Sequence, residues 1–215
     1  MKEKLQNTRR SYEQGLLSFE DMAANPLQQF TRWYADYEKA QGDDPNACLL
    51  STADNQGRVT ARVILLKGVD RGGFEFYTNY RSQKGRQLSE NPQAALTFYW
   101  PQQERQIRIE GWVERLPEEE SDGYFKSRPR GSQLGAWVSP QSEAIESRRV
   151  LDQRLKAVQA QYGAMEVVPR PPHWGGYRLN PLLIEFWQGR PSRLHDRMVY
   201  EQRTDKSWVL NRLAP

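Results

Sequence analysis

Residues 193–197 read Arg193-Leu194-His195-Asp196-Arg197, which sets two guanidinium groups and an imidazole at alternate positions. On a β-strand that spacing turns Arg193, His195 and Arg197 to one face. Such groups repel one another when the imidazole is protonated, and they are costly to desolvate. A face built from them is best used beside an anion. Taken alone, the triplet also suits a solvated basic edge strand that discourages aggregation. Further cations stand beside small hydroxyls and amides: Arg62 and Lys67; Thr78, Ser82 and Lys84; Arg128, Arg130 and Ser132; Gln141 and Ser142. These are phosphate-binding groups, Arg through a two-pronged fork and Lys as a point charge. Alternation within Arg58–Lys67 puts Arg62 with Thr60 and Ile64. It turns Lys67 to the other face with Val63 and Leu65, unless a bulge intervenes. The two cations then serve different anions, although each singly also reads as a solvated strand-end charge.

Other chemistry lacks its usual residues. The chain has no Walker phosphate loop, no Gly-x-Gly-x-x-Gly after a strand and no Gly-x-Ser-x-Gly elbow. His173 and His195 are the only histidines and Cys48 the only cysteine, so no zinc spacing exists and no metal is expected. Cys48, within Ala47-Cys48-Leu49-Leu50, reads as a small buried hydrophobe. The N-terminus lacks an apolar signal core, and no apolar run reaches the roughly 20 residues of a membrane helix. The expectation is a cytoplasmic protein with no membrane partner. A net charge of +4 suits anionic ligands, nucleic acid or plain solubility. Scattered rather than clustered basic residues argue against nucleic acid.

The elements that position these residues follow from periodicity. The 215 residues suit a single domain, 1–215, with a polar N-terminal arm over 1–24 and a flanking helix over 25–42. Thr8–Tyr12 is compatible with a short helix or a mobile arm. Asn25-Pro26 is a helix start, and Leu27, Phe30, Tyr34 and Tyr37 recur at helical spacing. Strand-like stretches follow at 47–52, 58–67, 74–79, 94–100 and 106–116, the first two joined by the turn Asp54-Asn55-Gln56-Gly57. Helices are expected over 117–126 and 143–162, the latter with a core-packing stripe of Val150, Leu151, Leu155, Val158 and Tyr162. A second hairpin is expected from 177–187 and 193–200, then a short strand at 208–210. Short antiparallel strands with polar turns predict a mainly β, α+β fold built on a small barrel.

Several segments, in order, resemble the pyridoxamine 5′-phosphate oxidase family from about Arg9 to Pro215. They are Arg62-Val63-Ile64-Leu65-Leu66-Lys67, Tyr77-Thr78-Asn79, Glu104-Arg105-Gln106, Tyr124-Phe125-Lys126-Ser127-Arg128-Pro129, Ser132-Gln133-Leu134-Gly135-Ala136-Trp137-Val138-Ser139, Ile184-Glu185-Phe186-Trp187-Gln188-Gly189 and Arg193-Leu194-His195-Asp196-Arg197. The resemblance implies an FMN-binding split β-barrel, a homodimer with active sites at the subunit interface. It assigns the FMN phosphate to Arg62 and Lys84 with Gln141 and Ser142, and the flavin ring region to Tyr77, Thr78, Gln106, Trp187 and Arg197. Val63, Lys67 and Gln83 fall within its cofactor-binding segments. Lys67, Tyr124, Arg128 and Ser132 match the clamp on the substrate phosphate; Arg193 and His195 match residues beside the pyridine ring. Arg9 and Tyr12 match a segment that closes over the substrate.

The implied reaction is oxidation of pyridoxamine or pyridoxine 5′-phosphate to pyridoxal 5′-phosphate, with hydride passing from C4′ to flavin N5. Water then hydrolyses the imine of the amine substrate, and oxygen takes the electrons as hydrogen peroxide. Arg193, His195 and Arg197 are the implied catalytic residues. Where the family usually has Ser-Arg-Lys the chain has Ser82-Gln83-Lys84, and Arg81, on the same side of an extended segment, is the expected substitute. Another FMN-binding split-barrel oxidoreductase is the alternative implied.

Overall fold

The computed structural model describes residues 1–8, 11–40 and 42–215. After α1 (Lys2–Asn7), α2 (Pro26–Lys39) begins as its sequence predicts, with the Asn25 side chain accepting from the Leu27 N–H and Pro26 at the first helical position. Among the described residues nine strands follow: β1 (Ala47–Ala53), β2 (Val59–Leu65), β3 (Gly68–Asp70), β4 (Gly73–Asn79), β5 (Gln93–Trp100), β6 (Arg105–Arg115), β7 (Trp174–Gln188), β8 (Asp196–Gln202) and β9 (Trp208–Leu213). Interleaved with them are α3 (Gln83–Glu90), α4 (Glu118–Ser127), α5 (Arg130–Val138) and α6 (Arg148–Tyr162).

All strand pairs are antiparallel, in the order β2-β1-β5-β6-β7-β4-β3, with β8 and β9 continuing from the far half of β7. The β1–β2 turn closes as its residues dictate. Asp54 accepts from the N–H groups of Gln56 and Arg58, and Gly57 takes φ +76°. The β6–β7 ladder shifts register after Glu110, where Gly111 faces the Asn180 carbonyl so closely that a Cβ would lie 2.0 Å from it. The barrel interior is aromatic: Phe30 of α2 meets Phe74 and Phe98 edge-on, and Tyr37 stacks on Trp100 at 5.1 Å. Cys48 is buried as expected, and desolvation pushes its thiol up to about 12.

Several expectations need correction. Arg193, His195 and Arg197 do not share a strand face. Pro191–Arg193 forms a 3-10 turn with Ser192 and Arg193 at positive φ, and β8 begins only at Asp196. Residues in the left-handed region do not alternate, so only Arg197 has a strand orientation. The segment after Tyr80 is not extended: Ser82 caps α3, which its short, polar sequence concealed, so the same-side argument for Arg81 fails. The helix expected from 143 starts at Arg148 and buries none of its residues; its stripe only lies over a small outer cluster through Val158 and Tyr162. Helix α5 and strand β3 were also not anticipated.

Candidate active site

Arg62 sits mid-strand in β2 with Thr60 and Ile64 on its half-buried side, as alternation requires. Val63 points to the opposite face and is 68% exposed, so any contact it makes with a ligand of Arg62 falls to its backbone. The Arg62 guanidinium donates to Leu50 O at 3.2 Å, to Thr52 Oγ1 at 2.7 Å and to Thr60 Oγ1. That spends three of the five N–H donors of a guanidinium. Its Nε–H and remaining Nη2 proton have no acceptor among the described residues, nor does any carboxylate pair with it.

Lys84, in the first turn of α3, is 9% exposed and reaches Gln141 Oε1 at 3.1 Å and Thr78 Oγ1 at 3.4 Å. Thr78 also donates to Gln141 Oε1 at 3.2 Å. Burial, and then the nearby Arg62 charge, push the Lys84 ammonium down to about 8. Desolvation likewise lowers Arg62. A buried and a half-buried cation that oppose one another without a carboxylate are suited to an anion. Thus β2, β4, α3 and the loop after α5 bring Arg62, Thr78, Lys84 and Gln141 together. Ser142 follows at φ +72°, exposed on the same loop, and Gln83 is exposed at the first position of α3.

A second cationic group stands next to the first. Arg128 ends α4, whose last carbonyls are tied down by Gln133: its Nε2 donates to Phe125 O, Lys126 O and Arg128 O at 3.2, 3.1 and 3.0 Å. The Arg128 guanidinium lies 4.5 Å over the Trp174 ring, and its Nη1 is buried with no hydrogen-bond partner. Burial lowers its pKa and raises that of Tyr124. Tyr124 stacks on Tyr77 at 3.9 Å, and both rings lie near-parallel to Trp174. Arg128, Ser132, Trp174 and Gln141 line one cavity of about 230 Å³, so the two cationic groups adjoin. Lys67 is exposed just past β2 and instead edges an apolar cavity of about 390 Å³ with Phe30, Tyr34 and Leu66. The sequence reading missed Trp174, Gln133 and Thr52, the hydroxyl partner of Arg62 on the neighbouring strand. Only the aromatic next to Gly175-Gly176 was a signal, because those glycines let Tyr77 and Tyr80 lie against β7.

The remaining candidates gather at the other end of β7. Gln106, Trp187 and Arg197 occupy one row across β6, β7 and β8. His195 lies 4.6 Å from the Trp187 ring, and Tyr12 meets both rings edge-on at 5.7 Å. His195 Nδ1 accepts from the Arg190 N–H at 3.0 Å, which leaves any ring proton of the neutral form on Nε2. Burial and then the Arg193 charge lower its pKa, against Asp196. Arg193 itself is exposed. Arg197 is not a free cation: Glu185, 4% exposed, takes its Nε at 2.8 Å and its Nη2 at 3.0 Å. The arm carrying Tyr12 is held by a buried and a half-buried carboxylate. Glu104 accepts from the N–H groups of Glu13 and Gln14, and Asp196 from that of Leu17. Arg9 lies outside the described residues.

Comparisons with known proteins agree with this architecture. Residues 36–162 match the pyridoxamine 5′-phosphate oxidase family, and residues 174–215 match a pyridoxine 5′-phosphate oxidase C-terminal dimerisation region. The chain is 54% identical to the pyridoxine/pyridoxamine 5′-phosphate oxidase of Paraburkholderia phymatum, over 98% of this chain and 99% of that one. It is 52% identical to the enzyme of that name from Salinibacter ruber, over 99% of both chains. Among solved structures, PhzG from Burkholderia lata in complex with tetrahydrophenazine-1-carboxylic acid superposes with a TM-score of 0.88 at 32% identity, covering 96% of this chain and all (100%) of that one. An FMN-binding, pyridoxamine 5′-phosphate oxidase-related protein from Nostoc punctiforme gives 0.70 at 17% identity, covering 90% of this chain and 100% of that one, which shows a shared split-barrel fold. Strand order, aromatic core and full-length identity converge: the chain is a member of the pyridoxine/pyridoxamine 5′-phosphate oxidase family.

Proposed function

We propose that the protein is an FMN-dependent oxidase converting pyridoxamine or pyridoxine 5′-phosphate to pyridoxal 5′-phosphate, with oxygen as acceptor. The observation that carries this reading is the pair of adjoining cationic groups, each with unspent donors and no carboxylate. A flavin phosphate and a substrate phosphate each bring roughly −1.5 to −2 charges. The donors present fit them: Arg62, Lys84, Thr78, Gln141 and Ser142 would hold the first, Arg128, Tyr124 and Ser132 the second. FMN, when bound, supplies the redox chemistry by accepting a hydride.

The protein's own part is binding and orientation. Lys84 and Arg62 offset the cofactor phosphate, while Gln83 presents the start of α3 to it. Trp174 holds Arg128 flat toward the substrate phosphate. Arg197, with Trp187 and Gln106 beside it, presents positive charge to the ring region, moderated by Glu185. His195, neutral and with its proton on Nε2, faces Tyr12 and stands next to Arg193. Those two hold the pyridine ring, and Tyr12 with Arg9 closes over it. Lys67 serves the substrate phosphate only if its exposed chain swings from the apolar cavity.

A homodimer completes the site. Tyr77 and Thr78 pair with Gly176 and Gly175 at the start of β7, whereas the Gln106–Trp187–Arg197 row is at its end. This 15-residue strand has a contour of roughly 45 Å at ~3.3 Å per residue. One small ligand meets both ends only if a second protomer supplies one of them, and the match to a dimerisation region supports this.

The purified protein is expected to be yellow, to release FMN on denaturation, and to bleach under nitrogen on addition of pyridoxamine 5′-phosphate. A protein that cannot take up FMN overturns the reading. Bleaching by tetrahydrophenazine-1-carboxylic acid but by neither phosphate ester would replace the substrate and favour the alternative, a different oxidoreductase on the same barrel.

A further inference from the structure

Across the Thr52 and Thr60 hydroxyls from Arg62 is a buried amide that no charge or motif singled out. Gln87 of α3 is 6% exposed. Its Oε1 accepts from Thr52 Oγ1 at 2.6 Å and from Thr60 Oγ1 at 2.7 Å. Its Nε2 lies 3.4 Å from the Arg58 carbonyl, so reversing the amide would set an oxygen against that carbonyl and take from the two threonine protons their acceptor. The same two hydroxyls accept from Arg62, Thr52 from Nη1 and Thr60 from Nη2.

A hydroxyl has one proton. With both protons drawn to Gln87 Oε1, each threonine can offer Arg62 only lone pairs. The two lone pairs fix the plane of the guanidinium and leave its Nε–H and second Nη2 proton as a preformed fork. We infer that Gln87 is a positioning residue for the cofactor phosphate: through Thr52 and Thr60 it holds Arg62 in the one orientation that presents a bidentate edge. This rests on the reading that Arg62 takes the FMN phosphate.

The test titrates full-length apoprotein with FMN and with riboflavin, which lacks the phosphate. Gln87→Met keeps the length of the side chain but accepts no hydroxyl proton. It is expected to weaken FMN binding about 10-fold, to leave riboflavin binding unchanged, and to add nothing on an Arg62→Ala background. Thr60→Val, well suited to a strand, is expected to do the same, and Thr60→Ser to restore affinity; this pair carries the test if Gln87→Met does not fold. Wild-type FMN affinity in Gln87→Met and Thr60→Val, with a loss in Arg62→Ala, overturns the inference alone. Equal losses of FMN and riboflavin would make Gln87 merely structural and also overturn it. Unchanged FMN affinity in Arg62→Ala removes the underlying phosphate assignment as well.

Discussion

Lys84 shows how one residue's surroundings set its chemistry. An ordinary lysine near 10.5 falls to about 8 here because its ammonium is buried and faces Arg62. The unfolded chain therefore holds this proton more tightly than the folded apoprotein does. The cost to stability is full below about pH 8 and is relieved as pH rises toward 10.5. Lys84→Met is expected to stabilise the apoprotein most below pH 8, with the advantage shrinking toward pH 10.5, measured by urea unfolding across that range. FMN binding has the opposite sense, since a phosphate favours the charged lysine. Wild-type affinity should decline above pH 8 and that of Lys84→Met should not; parallel profiles would refute the assignment. His195 is held neutral by burial and by the Arg190 N–H on its Nδ1. Nitrogen-15 NMR is expected to show the Nε2–H tautomer and a midpoint below 6.5, and an Nδ1–H tautomer would contradict the geometry.

Among the elements, the N-terminal arm depends most on a few bonds. Residues 12–17 add no strand and reach the barrel through Glu104, Asp196 and Arg190, the last donating to Gly15 O. Glu104 is 2% exposed and accepts two arm amides, so its loss leaves both without that partner. Glu104→Ala is expected to cost about 1–3 kcal/mol and to speed amide exchange at Glu13 and Gln14. By loosening Tyr12 it should raise substrate KM more than it lowers kcat. Unaltered exchange at those amides would show that the arm is held otherwise. Helix α3 works differently, carrying Gln83 and Lys84 at its start and Gln87 one turn later, so one short helix both lines and braces the Arg62–Lys84 cluster.

At the scale of the molecule, β7 is the organising strand, with the Arg62–Thr78–Lys84 cationic cluster near its start and the Gln106–Trp187–Arg197 row near its end. If a complete site takes one end from each protomer, Arg62→Ala and Arg197→Ala dimers are both defective but complementary. Random re-pairing gives heterodimers in which one site carries both lesions and the other neither. Activity should return to about 25% of wild type after mixed refolding, and no recovery would place both residues in one protomer's site. No helix among the described residues is long and apolar enough to cross a membrane.

The sequence by itself determined where the main strands lie along the chain, the start of α2 and the Asp54–Gly57 turn, since alternation, capping and turn chemistry act over a few neighbouring residues. Its separation of Arg62 from Lys67 also followed from alternation alone. The likeness of ordered motifs identified the family, and the full-length identities bear that out. Tertiary structure decided what local pattern could not. Two residues at positive φ broke the Arg193–His195–Arg197 face, a buried Glu185 paired Arg197, and the core-like stripe on α6 is only half-buried over a small outer cluster. It also put Gln87 behind Arg62, 25 positions away by number, because a helix packed on a hairpin brings together side chains whose sequence spacing has no period. Long-range partners of this kind set which cations are satisfied and which remain for a ligand.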